Sequence, residues 1–67
     1  VTFFKLQQLL KKYGTIIYTG NRAADLELME EEIKELERLG LIEKDVYLDS
    51  LLLIKKEQRL AVGKDKQ

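Results

Sequence analysis

Apolar positions recur along this chain in three stretches at spacings of three and four, the period of an amphipathic helix. In the first, Phe3, Leu6, Leu9, Leu10 and Tyr13 fall on one face. Thr2 is placed to cap it through its hydroxyl, and Gly14 to end it in the left-handed conformation. In the second, Leu26, Met29, Ile33 and Leu36 form a single stripe. Asn21 stands as its N-cap and Gly40 as its stop. Asp25 and Glu27 come early, and Lys34 and Arg38 late, as the helix dipole favours. In the third, Val46, Tyr47, Leu51, Ile54 and Ala61 share a broad inner face, with Leu53 and Leu60 on its edge and Glu43 or Asp45 as cap. The pattern predicts an all-α fold, a compact three-helix bundle with helices at about 3–13, 22–39 and 44–61. A link of four residues or fewer makes the second and third an antiparallel pair. Residues 1–62 form the domain, and the polar tail 63–67 is expected to fray.

Between the first two helices the period breaks. Thr15 to Thr19 is rich in residues that favour strand, but a lone strand has no partner here. The expectation is an irregular or short helical connection whose isoleucines, Ile16 and Ile17, close one end of the bundle.

Composition narrows the function classes. The chain has 67 residues, no Cys and no His. Disulfides, thiolate catalysis, His general bases and His-based zinc sites are therefore excluded. No stretch approaches the roughly 18 apolar residues that span a membrane, and the first residues lack a signal-peptide layout. The expected compartment is the cytoplasm, with no membrane partner.

Net charge is zero but segregated. Residues 1–24 carry Lys5, Lys11, Lys12 and Arg22 and no acid, or +4; residues 25–54 carry −7; residues 55–67 carry +3. Basic ends around an acidic middle fit an anionic partner at the ends, or simple neutralisation of the middle helix within the fold.

Leu9-Leu10-Lys11-Lys12-Tyr13-Gly14, then Ile17-Tyr18-Thr19-Gly20-Asn21-Arg22, then Leu26-Glu27-Leu28-Met29-Glu30 resemble the YqgQ-like family of small bacterial proteins. The similarity runs to about Leu60, and Tyr13, Gly14, Tyr18 and Gly20 carry its most specific part. The resemblance implies an all-α three-helix fold and no established catalytic residue. It points to single-stranded nucleic acid as a ligand.

The residues supply a matching set of candidates. Single strands are held by aromatic stacking and by cations on phosphate. Lys5, Lys11, Lys12 and Arg22 are the candidate phosphate contacts; Tyr18, with Tyr13 and Phe4, is the candidate stacking group. Phe4 lies opposite Leu6 and Leu9, on the polar, basic side of the first helix. Arg22 follows Gly20 and Asn21 at a helix start, where free amides attract anions. Each has a plainer role as well: Tyr13 in the core with its hydroxyl in water, Phe4 packed locally or on another subunit, and Gly20-Asn21 as a turn and cap. The zero net charge weighs against a nucleic-acid ligand.

The acids offer no metal site. Glu30, Glu31 and Glu32 point about 100° apart, while Glu27, Glu31 and Glu35 share a face turned to water. Ser50 has no His or Lys beside it and reads as a small residue at a helix contact. No cofactor and no enzyme activity are expected. On the third helix, Leu48 and Leu52 align with Lys55 and Arg59 outside the core arc. On the second, Leu28 and Leu39 lie among Glu32 and Glu35. These edges pair either within one chain or between chains, so a protein-interaction module or homodimer stands as the alternative function.

Overall fold

A computed structural model describes residues 2–65, with side chains as far as Ala61. It is an all-α three-helix bundle: α1 spans Phe3–Lys12, α2 Arg22–Arg38 and α3 Lys44–Asp65. The helical backbone carries Gly63, Lys64 and Asp65 within α3 rather than beyond it. Lys66 and Gln67, the rest of the tail expected to fray, lie outside the described residues.

The expected caps form. Thr2 Oγ1 accepts the Lys5 amide at 3.2 Å, and Asn21 Oδ1 accepts the Ala24 amide at 2.9 Å. At the end of α1, Gly14 has φ +85. This lets the Gly14 amide reach the Lys11 carbonyl and the Thr15 amide the Leu10 carbonyl, each at 2.9 Å. The same pair of bonds closes α2, from Gly40 to Glu37 at 3.0 Å and from Leu41 to Leu36 at 2.9 Å.

Leu6 and Leu10 of α1, the Leu26, Met29, Ile33 and Leu36 stripe of α2, and Ile54 and Ala61 of α3 form one core. Each fully buried leucine or isoleucine contributes about 1.5–3 kcal/mol relative to exposure. Phe3, Leu9, Tyr13, Ile17, Ile42, Tyr47 and Leu53 pack around it. Ser50 is fully buried in the same layer.

α2 and α3 are the principal packed pair. They run antiparallel, as their cross-links show: Arg22 meets Glu57, and Glu30 meets Lys55. α1 runs the other way relative to α3, alongside α2. Its start lies by the start of α2, with the Phe3 ring 4.3 Å from the Arg22 guanidinium. Its end lies by the end of α2, where the Tyr13 hydroxyl donates to the Leu41 carbonyl at 2.9 Å. Two parallel helices in sequence need a return connection, and residues 13–21 provide it.

Candidate functional site

That return connection is an extended strap laid along α2. Thr15 Oγ1 donates to Glu32 Oε1 at 3.2 Å. Ile17 packs on the core and lines one groove with Met29 and another with Leu28. The amide and the hydroxyl of Thr19 both donate to Asp25 Oδ1, at 2.7 Å each. From Glu32 back to Asp25 is seven helical residues, about 10.5 Å. Four strap residues cover that only when nearly extended, at about 3.3 Å each. The high strand propensity of Thr15 to Thr19 is thus used, without a strand partner. Ile16, Ile17 and Tyr18 make no backbone–backbone hydrogen bond among the described residues.

Extension sets exposure. Alternate side chains of an extended chain point to opposite sides, so Thr15 and Ile17 turn to α2 and are half-buried. Ile16 and Tyr18 turn outward, 79% and 85% exposed. The expectation that both isoleucines close an end of the bundle is corrected here: only Ile17 packs on the core, and the strap follows the side of α2.

The start of α2 is closed by the protein's own groups. Asn21 fills the cap position, and Asp25 stands over the turn. The Thr19 hydroxyl bond, then the Thr19 amide bond and the nearby charge of Arg22, hold the Asp25 carboxyl below its usual range. Gly20 has φ +87 with open space around it, so the glycine serves the turn and not a close approach. Arg22 is engaged too: its Nη2 lies 2.8 Å from Glu57 Oε1 while its plane covers Phe3. An anion approaching the first turn of α2 meets the Asp25 carboxylate and an arginine already paired.

Tyr13 is half-buried, and its hydroxyl, at the exposed edge of the core, donates to the Leu41 carbonyl. Lys12 Nζ lies 5.8 Å from its ring centre. By contrast, Phe4 is 67% exposed, and Lys5, Lys11 and Lys12 are exposed on the same helix. Those three lysines pair with no acid among the described residues. Lys11, Gln7 and Ile16 line one groove between α1 and the strap. Of the candidate nucleic-acid contacts, then, Phe4, Lys5, Lys11, Lys12 and Tyr18 present free surface, and Tyr13 and Arg22 hold that surface in place.

The YqgQ-like family model matches residues 1–60. The chain belongs to the YqgQ-like family. It is 41% identical over 56 residues to the uncharacterised protein YqgQ of Bacillus subtilis strain 168, covering 84% of this chain and 79% of that protein. The Tyr13-Gly14 and Tyr18-Thr19-Gly20 elements of this YqgQ-like chain are the two turns of the strap.

On the other flank of α2, Glu30 gathers three partners: Lys34 and Lys55, with Nζ 3.0 Å away in each case, and the Gln58 amide at 3.1 Å. Lys55, which the sequence pattern puts in an outward interaction stripe, is drawn to α2. Its neighbours remain outward: Leu48 and Arg59 are exposed, and Leu52 is 70% exposed. Arg38 pairs with Glu35 on the water face of α2. Among the described residues, no helix is long and apolar enough to cross a membrane, and no group of three or more acidic side chains is arranged to hold a metal ion.

Proposed function

We propose that this YqgQ-like chain is a non-enzymatic module that binds single-stranded nucleic acid on the outer face of α1 and the adjoining strap. The observation that carries this reading is the exposure, on α1 and the strap, of two aromatics, Phe4 and Tyr18, and of three lysines that have no acid partner among the described residues. Bases stack on Tyr18 and Phe4, and phosphates run along Lys5, Lys11 and Lys12. Arg22 and Tyr13 act by fixing α1 against α2. Such a ligand fits a cytoplasmic protein.

Fluorescence anisotropy with a labelled single-stranded oligonucleotide tests it. Three phosphate contacts give a log–log salt slope of about −2. Tyr18→Ala lowers affinity by about 1–3 kcal/mol, one stacked base, and Lys11→Glu with Lys12→Glu abolishes binding. No binding at low salt, or binding indifferent to both changes, rejects the reading. A protein-interaction module is the second reading, favoured by the exposure of Leu52 on α3.

A further inference from the structure

The outward face of α3 has a symmetry that its sequence makes visible. Leu52 stands opposite the buried Ser50, Ile54 and Ala61 side and is among the most exposed apolar residues of the chain. Asp45 lies seven residues before it and Arg59 seven residues after it. Seven residues are two turns, about 10.5 Å, so all three share one outward seam. Asp49 and Lys56 flank the seam on either side of Leu52, and Leu48 lies beside it. The first half of this face is acidic and the second half basic. All of these side chains are exposed.

A charge order of this kind is self-complementary under a twofold axis. We propose that this face is a homodimer surface, on which α3 packs antiparallel against α3 of a second copy with the axis at Leu52. Leu52 then meets Leu52 of the second copy. Asp45 of each chain meets Arg59 of the other, and Asp49 meets Lys56. The interface is isologous, one patch used twice, and closes at two chains. The two helix dipoles also oppose favourably. A parallel arrangement sets acid on acid and base on base, so charge selects the antiparallel register.

The surface is independent of the α1–strap surface. Glu30 faces α3 on one flank of α2, whereas Glu32 and Leu28 face the strap on the other. Dimerisation therefore leaves both straps uncovered and gives an assembly with two of them. Two leucines per copy form a small contact, below about 1,200 Å² in total, of the transient class.

Sedimentation equilibrium from about 10 µM to 1 mM, a range suited to weak association, reads the monomer–dimer balance of the full chain at low salt. Wild type is expected to move toward dimer across that range, and Leu52→Asp to stay monomeric with an unchanged helical circular dichroism signal. Asp45→Lys alone sets lysine against Arg59, and Arg59→Glu alone sets glutamate against Asp45, so each is monomeric by itself. Mixed one to one, the two variants restore both ion pairs and form a heterodimer. Recovery only on mixing supports the twofold α3 contact. A strictly monomeric wild type, single variants that still dimerise, or a mixture that stays monomeric each overturns it. If association instead responds to Glu31→Lys on α2 and not to the α3 exchange, α3 docks on the acidic helix and the proposal is wrong.

Discussion

The Tyr13 hydroxyl donates to the Leu41 carbonyl at 2.9 Å across 28 residues of sequence, pinning the C-cap residue of α1 to the chain two residues past Leu39, the C-cap of α2. Tyr13→Phe keeps the ring on the core and deletes the bond. Leu41 is half-exposed, so its freed carbonyl turns to water and the cost is about 0.5–1 kcal/mol. For a domain of this size that is a fall in Tm of about 2–8 °C by thermal circular dichroism. Oligonucleotide affinity is expected to be unchanged. A Tyr13→Phe protein of full stability but weakened binding would show that the hydroxyl serves a ligand rather than the fold.

Glu30 is the electrostatic centre of the α2–α3 contact. Its side chain is only 13% exposed, and hydrogen bonds from Lys55, Lys34 and Gln58, in that order, hold its carboxyl down to about 2. In the unfolded chain the group titrates near 4.5. The unfolded state therefore takes up the proton first on acidification. The contribution is complete above about pH 5 and fades as pH falls from 4.5 toward 2. Both lysines are half-exposed and screened, so urea unfolding should show a loss of about 1–2 kcal/mol from this group between pH 7 and pH 3. Glu30→Gln lowers stability at pH 7 and flattens that part of the acid dependence. An acid limb as steep in Glu30→Gln as in wild type would remove Glu30 as its source.

Ser50 is fully buried and its Oγ has no hydrogen-bond partner among the described residues. A buried hydroxyl without a partner costs about 1–3 kcal/mol, and alanine is the better helix former. Ser50→Ala is expected to raise stability by about 0.5–1.5 kcal/mol, read as a higher urea midpoint at unchanged slope. A destabilised Ser50→Ala would mean that the hydroxyl is satisfied in solution and supports the helix contact.

The helices and most of the core are legible in the sequence because one cause fixes them: a 3.6-residue apolar period bounded by capping residues. Leu26, Met29, Ile33 and Leu36 are all buried, and Thr2, Asn21 and Gly14 all cap as their chemistry dictates. The strap is not legible as a strap. Its strand propensity is plain, but what an extended segment packs on is a tertiary fact, and here it is the side of a helix rather than another strand. The candidate surface divides for a related reason. From sequence Tyr13 and Arg22 stand both as ligand contacts and in plainer roles, because their partners, Leu41 and Glu57, lie 28 and 35 residues away. Local spacing carries no information on pairs of that separation. Phe4 and the α1 lysines face outward in both sequence and structure because helix periodicity alone decides their direction.

Asp25 holds the far end of the strap, taking both the amide and the hydroxyl of Thr19 at 2.7 Å. α2 does not depend on it for its cap, which is Asn21. Asp25→Ala should therefore leave the helical circular dichroism signal intact while loosening the strap. The local readout is amide hydrogen exchange: Thr19 is expected to exchange faster in Asp25→Ala, with Ala24 unchanged. A pH titration followed through the Thr19 amide shift adds a second test. The Thr19 bonds lower the Asp25 carboxyl, so the inflection should fall below 3.8, the ordinary value for aspartate. Because Tyr18 is carried by the same strap, the freed segment should also bind a single-stranded oligonucleotide less tightly, through the entropy of ordering it again. Oligonucleotide affinity that survives Asp25→Ala while Thr19 exchange rises would separate the latch from the binding surface and place the ligand on α1 alone.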